Sequence, residues 1–435
     1  MLRWIAQAAT RSFYRLRVEG PRPPKTGPVL LVANHPNSLF DPALVLATAG
    51  RRVRFLAKAP LFDDWRVAWI VKSAGAIPVY RRVDDPAAMG GNDSMFRAVE
   101  EALEAGSAIG LFPEGRSHSE PSMSELRTGA ARMALAAAKK TGRGFPIVPV
   151  GLVFRSKEVF RSSAAVVMGS PVEWADLAGR GAEDRDAVRE LTGRIDEELR
   201  RVTVNLETWQ DRPLVEGAVE IWSTERGDGP RVEATEEERV RRLAIATDLL
   251  RSARESGDVP TKLLVERLRE HVDRLERFSL TPRSLLSRTQ ARVAAAWAAR
   301  RLYLLGLPML LFAALGWLLF RIPNSLTGRL AARTSPNETE LATHKLVLGL
   351  LLNAFWLLLW CVAVGLAFGL WWTLGVAAAL PVIGSLGSWV RQRWQGALDD
   401  ARRFVFLRSR GDLVSSLRAA QSDLAEELEA LVASR

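Results

Sequence analysis

Residues 29–41, Val29-Leu30-Leu31-Val32-Ala33-Asn34-His35-Pro36-Asn37-Ser38-Leu39-Phe40-Asp41, decide how the first half of the chain is read. The apolar run 29–33 lies between a Pro-rich stretch, 21–28, and the Asn34-His35-Pro36 break, and it has the length and composition of a strand buried on both faces. Asp41-Pro42 then opens a helix over Ala43–Thr48, with Asp41 as N-cap and Pro42 at the first helical position. Strand, turn and helix in that order form the unit of an open α/β sheet, which places its ligands at the carboxyl ends of its strands. His35 occupies that position. A neutral imidazole there can take a proton from a hydroxyl, and a carboxylate beside it would hold its tautomer and stabilise the imidazolium. Asp41 is the candidate, provided the Pro36 turn folds back; simple N-capping is the other role open to it.

The same alternation continues outward. Residues 54–57 and 76–80 read as strands, 65–72 as a helix, and 92–104 as an amphipathic helix ended by Gly106. A strand over 108–112, an Ala-rich helix over 127–139 and strands over 146–150 and 165–168 follow. This spacing predicts a layered α/β domain over 1–215. At its start, Trp4, Ile5, Ala8, Ala9 and Phe13 fall near helical spacing among arginines, which suits a short amphipathic helix on a membrane or on the domain surface. The first residues lack an apolar stretch of the length a secretory signal needs.

A second cluster, Phe112-Pro113-Glu114-Gly115-Arg116-Ser117, again follows a strand. Gly115 permits close backbone approach, Arg116 offers a fork of donors suited to phosphate, and Glu114 can accept from substrate hydroxyls. A structural turn carrying a surface Arg–Glu pair is the competing reading. No Gly-x-Ser-x-Gly elbow surrounds Ser117, so it is not a hydrolase nucleophile by pattern.

Glu and Arg dominate from Thr224, with Leu and Ile at helical periods, so 216–300 is expected to be a charged, solvent-facing helical segment. The texture then turns apolar. Leu302–Phe320, between Arg300-Arg301 and Arg321, is long enough to span a bilayer. Leu346–Val390 contains no Asp, Glu, Lys or Arg and would overshoot the hydrocarbon core about twofold as one helix, so two spans with a break near Gly365–Gly369 are expected. Trp371, Trp372 and Trp389 suit interface anchors. That makes 301–390 a membrane region of three crossings. Basic residues flank both the first span and the tail at Arg391, Arg393, Arg402 and Arg403, a pattern that also suits two crossings with a re-entrant segment. Residues 391–435 end in an amphipathic helix carrying Leu413, Leu417, Leu424, Leu428 and Leu431, suited to a partner helix.

Composition narrows the classes. The chain has 435 residues, 48% hydrophobic and 25% charged, and a formal net charge of +11. Such an excess fits an anionic membrane surface, phosphorylated substrates or nucleic acid. No zinc spacing, RNP-like strand or basic region leading into heptads supports the last, so no nucleic-acid partner is expected. The single cysteine, Cys361, rules out an intrachain disulfide, and with four histidines it leaves little for a structural zinc; no metal is expected.

Four ordered blocks resemble the glycerolipid acyltransferase family, typified by bacterial 1-acylglycerol-3-phosphate acyltransferase. They are Asn34-His35 through Asp41, Gly75–Arg81, Phe112–Ser117 and Ile147–Val150, with Phe55-Leu56-Ala57-Lys58 and Arg127-Thr128-Gly129 as supporting matches. The resemblance implies an α/β acyltransferase domain followed by the charged helices and membrane spans. It implies His35 as general base and Asp41 as its orienting partner. Arg81 and Arg116 would hold the acceptor phosphate, Glu114 and Gly115 would shape that pocket, and Lys58 would add a contact. Pro149 and Val150 would line the acyl or thioester side. The co-substrate would be an acyl-CoA or acyl carrier protein thioester, with no other cofactor and no covalent acyl-enzyme. The expected setting is an integral membrane protein of a bacterial-type inner membrane or its equivalent, with its catalytic domain on the cytoplasmic face. The family commonly has four residues between His and Asp; this chain has five, Pro36 to Phe40, which is similar to the fungal glycerol-3-phosphate/dihydroxyacetone-phosphate acyltransferase branch. The acceptor is therefore expected to be glycerol 3-phosphate or dihydroxyacetone phosphate. Lysophosphatidate as acceptor, and a membrane scaffold that has lost turnover, are the alternatives.

Overall fold

The computed structural model describes residues 2–65, 67–80, 92–225, 235–255, 259–286 and 306–433. It divides into two compact units: Met1–Trp209 with Thr235–Thr247 and Asn337–Thr343, and Gln210–Ala234 with Asp248–Pro336 and His344–Arg435.

The first unit is built on a seven-stranded sheet. Its elements run α1 (Leu2–Phe13), β1 (Arg15–Glu19), β2 (Val29–Ala33), α2 (Phe40–Thr48), β3 (Val53–Lys58), α3 (Ala68–Ala74), β4 (Ile77–Val79), α4 (Asn92–Glu104), β5 (Ala108–Leu111), α5 (Gly129–Thr141), β6 (Ile147–Phe154), β7 (Ser163–Met168) and α6 (Arg185–Arg201). Across the sheet the order is β1-β7-β6-β2-β5-β3-β4, with β6 and β7 antiparallel and every other pair parallel. β2 is central because every one of its residues is apolar and buried, so it can be covered on both faces. Its side chains alternate: Leu30 and Val32 enter the core with α4, α5 and α6, whereas Val29, Leu31 and Ala33 enter the core with α1 and α2. Each fully buried aliphatic side chain contributes about 1.5–3 kcal/mol, which ties the layers together at the strand that carries the site.

Three sequence expectations shift. β1 was not foreseen: Arg15-Leu16-Arg17-Val18-Glu19 is charge-rich, and it forms an edge strand paired with β7 alone. β6 runs four residues past Val150, to Phe154, because its far end pairs with β7. Asp41 is not an N-cap. α2 begins at Phe40 behind Leu39, which makes no side-chain cap bond, and the Asp41 carboxylate turns upstream instead of onto the helix amides.

The described part of the charged segment is mostly helical, with α7 (Arg212–Glu225) and α9 (Val259–Arg277) in the second unit; α8 (Glu236–Glu255) lies between them in sequence. The C-terminal helix Gly411–Ala433 buries Leu417, Leu424 and Leu428 and packs on α7 and α9 of its own unit. Leu417 joins Leu275, Leu280, Leu285, Leu407 and Val414 in one cluster. Among the described residues three helices are long and apolar enough to cross a membrane: Leu307–Thr334, Leu341–Phe368 and Leu370–Ser409. The expected break falls at Gly369, whose φ of +85° lies in the left-handed region that favours glycine. The first of these helices runs further than the expected span 302–320, and residues 302–305 lie outside the described residues. Gly316 and Gly387 meet across the first and third helices: a Cβ on Gly316 would stand 2.8 Å from the Ile383 carbonyl oxygen, the close backbone approach that small residues permit between membrane helices.

Candidate active site

β2 ends in a side-chain clamp. Asn34 Nδ2 donates to the Leu152 carbonyl at 3.1 Å, and Leu152 N donates back to Asn34 Oδ1 at 2.7 Å. The chain can therefore leave the sheet without orphaning a backbone group, and His35 emerges at the carboxyl end of the central strand. Its backbone N–H donates to Glu114 Oε1 at 2.9 Å, and its ring stacks on Phe112 with centroids 3.9 Å apart and planes 10° apart. His35 Nδ1 lies 2.8 Å from Asp41 Oδ2, which also accepts from Asn37 N at 2.6 Å. With a carboxylate accepting from Nδ1–H, the imidazole lone pair sits at Nε2. The longer spacing between His35 and Asp41 is taken up in the turn: Ser38 adopts φ +45°, and the Phe40 and Asp41 amides donate to the Asn37 and Ser38 carbonyls. Non-glycine residues rarely adopt that conformation, so the turn is held by its surroundings.

Asp41 is wholly buried, and among the described residues its Oδ1 has no hydrogen-bond partner. Loss of hydration pushes its pKa up, and the hydrogen bond and charge of His35 pull against that.

Glu114 follows β5 and is also buried. Its Oε1 holds the His35 amide; its Oε2 accepts from Ser124 N at 2.9 Å and contacts His118 Nε2. The Glu114 carboxylate, expected to accept from substrate hydroxyls, is engaged by three protein groups and ties the two loops together. Gly115 has φ +74°, a left-handed conformation that a larger residue would adopt only with strain, and the Arg127 side chain packs over it.

The remaining expected residues are placed as follows. Arg116 lies on the same loop, and its exposed side chain pairs with Glu120 at 2.8 Å. Lys58 ends β3 and is exposed. Arg81 lies outside the described residues. Pro149 and Val150 do not form an open wall. Both are buried in β6, beside Val32 and Ala33 of β2, because a strand one place from the sheet centre is covered on both faces. They support the site from beneath.

Several residues went unread in the sequence. Lys157, in the β6–β7 connection, donates from Nζ to the Pro36 carbonyl at 3.0 Å and contacts Ser119 Oγ, while its own carbonyl accepts from the Tyr14 hydroxyl. Asn37 Nδ2 donates to that hydroxyl at 2.7 Å. Ser38 N donates to Ser117 Oγ at 3.0 Å, and His118 N to the His35 carbonyl at 3.2 Å. Burial lowers the Lys157 pKa, and the charge of Asp41 raises it in turn. Lys157 is a positioning residue for the His35 turn. Lys157→Met should lower kcat about tenfold with little change in KM, the scale of losing one charge-assisted hydrogen bond; steady-state kinetics in membranes reads this, and an unchanged kcat refutes it.

Residues 15–153 match the family model described as Acyltransferase. Glycerol-3-phosphate O-acyltransferase 2 of Saccharomyces cerevisiae is 31% identical over 134 residues, 30% of this chain and 18% of that protein. The chloroplastic 1-acyl-sn-glycerol-3-phosphate acyltransferase LPAT1 of Arabidopsis thaliana is 27% identical over 147 residues, 33% of this chain and 38% of that protein. A solved structure, the 1-acyl-sn-glycerophosphate acyltransferase PlsC from Thermotoga maritima, aligns with a TM-score of 0.35 and 21% identity over 46% of this chain and 76% of that one. The matched segment is thus less than two fifths of the length of either curated relative. The amino-terminal α/β domain is similar to acyltransferase domains over residues 15–153. Within that class, the chain resembles the glycerolipid acyltransferases, as its four sequence blocks imply.

Proposed function

We propose that this chain is a membrane-bound O-acyltransferase of glycerolipid synthesis, moving a fatty acyl group from a thioester to the hydroxyl of glycerol 3-phosphate or dihydroxyacetone phosphate. The observation that carries the reading is His35, oriented at Nδ1 by buried Asp41 and stacked on Phe112 at the carboxyl edge of the sheet. Nε2 takes the proton as the acceptor oxygen attacks the thioester carbonyl. The tetrahedral intermediate expels the thiolate of coenzyme A or of an acyl carrier protein, and the imidazolium returns the proton to sulfur. The ester C–O bond replaces the C–S bond, and no other group is consumed. Asp41 stabilises the transient imidazolium without taking its proton. Arg116, Lys58 and Arg81 are the cations proposed for the acceptor phosphate; Arg116 would exchange Glu120 for it, a change that costs little because an exposed ion pair is worth about 0–1 kcal/mol. The five-residue His–Asp spacing and the names of the yeast relatives favour glycerol 3-phosphate; the name of the plant relative favours lysophosphatidate. The three apolar helices support an integral membrane protein, and we place its catalytic domain on the cytoplasmic face, where acyl thioesters occur.

An assay with membranes containing the full chain, crossing acyl-CoA and acyl carrier protein donors with glycerol 3-phosphate, dihydroxyacetone phosphate and lysophosphatidate acceptors, tests the reading. Product should form with glycerol 3-phosphate or dihydroxyacetone phosphate at a higher kcat/KM than with lysophosphatidate. The reverse preference moves the chain to phosphatidic acid synthesis, and no turnover with any pair sinks the enzymatic reading.

A further inference from the structure

We propose that a cleft at the amino-terminal edge of the sheet is a second anion site, one that takes a phosphate group carried on a lipid or free in solution. β2, β3 and β5 begin side by side there, with Val29 and Val53 both in register with Ala108. The cleft has a volume of about 540 Å³ and is lined by Lys25, Arg51, Arg52, Arg54, Gly75 and Ser107. β2 separates it from His35 by about 16 Å at 3.3 Å per residue, so it is not the acceptor pocket.

The guanidinium groups are held in place. Arg51 Nη1 donates to the Pro24 and Gly27 carbonyls, each at 2.8 Å, and its Nη2 donates to the Gly106 carbonyl at 2.8 Å. Arg54 Nε donates to the Gly75 carbonyl at 2.9 Å, and Arg52 Nη2 donates to the Ser73 carbonyl at 3.3 Å. The Gly106, Gly75 and Ser73 carbonyls lie just beyond or within the carboxyl ends of α4 and α3, so one reading makes the arginines simple helix caps, while Arg51 also holds the loop before β2 through Pro24 and Gly27. The charge balance goes further than that. α2, α3 and α4 each present about −0.5 of an elementary charge at that end. Together they offset about 1.5 of the four positive charges lining the cleft. Among the described residues no carboxylate pairs with Lys25, Arg51, Arg52 or Arg54, and the nearby Glu104 is taken by Lys140 at 2.8 Å. A surplus of about 2.5 charges, presented by planar forks that have donors to spare, suits a phosphate ester dianion better than a carboxylate. Arg3 Nη1 donates to the Gly50 carbonyl, next to Arg51, and exposed Trp4 follows Arg3 on the first turn of α1. Aromatic and basic side chains mixed in this way suit a lipid headgroup; a free phosphate ester answers the same chemistry.

The test uses the detergent-purified full chain with Arg116→Ala, which removes the proposed acceptor-phosphate arginine. Native mass spectrometry follows retention of dihexanoyl phosphatidic acid and dihexanoyl phosphatidylcholine, and calorimetry follows inorganic pyrophosphate. Adding Arg52→Gln and Arg54→Gln should weaken phosphatidic acid or pyrophosphate binding at least about tenfold, with the remaining affinity less sensitive to salt. Retention of phosphatidic acid alone identifies a lipid source; binding of both identifies the phosphate itself. Lys25→Gln, which breaks no backbone contact, should weaken binding a few-fold and carries the test if the double variant unfolds. Equal binding by all variants, or no binding of either probe, overturns the proposal.

Discussion

A His35→Ala chain is expected to transfer acyl groups about 10²–10⁴-fold more slowly than wild type while melting within a few degrees of it. The imidazole is the group that the geometry leaves with a lone pair at Nε2, its Nδ1 facing Asp41. Its replacement removes the base and keeps the supporting bonds, because the amide of residue 35 still donates to Glu114 and Asp41 still receives Asn37 N. The loss should fall in kcat, since the acceptor phosphate is held by other side chains. Single-turnover and steady-state rates in membranes check this, with thermal unfolding in detergent as the control for folding. Full retention of turnover would leave a scaffold as the better account of the chain.

Asp41→Asn should separate activity from stability. Turnover is expected to drop about 10²–10⁴-fold, because an amide cannot stabilise the imidazolium that forms during proton transfer. Stability moves the other way with pH. Burial raises the Asp41 pKa in the folded chain above its value in the unfolded one. The contribution of this group is therefore fully present below the unfolded carboxyl pKa of about 3.9 and is lost as pH rises through the higher folded value, where the chain must ionise a carboxyl without water. Asparagine carries no charge at any of these pH values. Relative to wild type, the variant should gain melting temperature as pH rises above the unfolded carboxyl value of about 3.9, even as it loses function. A relative loss above that pH would show that the carboxylate is better compensated than its orphaned Oδ1 implies.

How much of this could be read in advance depended on whether the signal was local. The run Val29–Ala33 is apolar at every position, so its place at the centre of the sheet followed from composition, and His35 at its carboxyl end followed from α/β geometry. Gly369 was legible as a break because an uncharged run of that length cannot be one membrane span. The supporting network was not legible. Glu114 acts on His35, 79 positions away, and Lys157 on Pro36, 121 positions away, and neither sits in a pattern that announces its partner. The pairing of Asp41 with His35 was anticipated, and only its N-cap role was misread: Asp-Pro before a helical run signals a cap, whereas the carboxylate turns back onto the residues before it. β1 escaped notice because an edge strand can afford the charges of Arg15, Arg17 and Glu19, which blur the alternation of a half-buried strand.

The helix Leu370–Ser409 has a mechanical consequence. Its uncharged half ends at Val390, and it continues without proline to Leu407, about 26 Å further at 1.5 Å per residue. Setting Val390 at the hydrocarbon boundary makes the remainder a stiff post standing in water, and the aliphatic cluster around Leu407 becomes a cap at its tip. The standoff height between the bilayer and that cap is then set by residue count: removing one helical turn would lower it by about 5 Å and rotate the cap little, whereas removing two residues would swing it by about 200°.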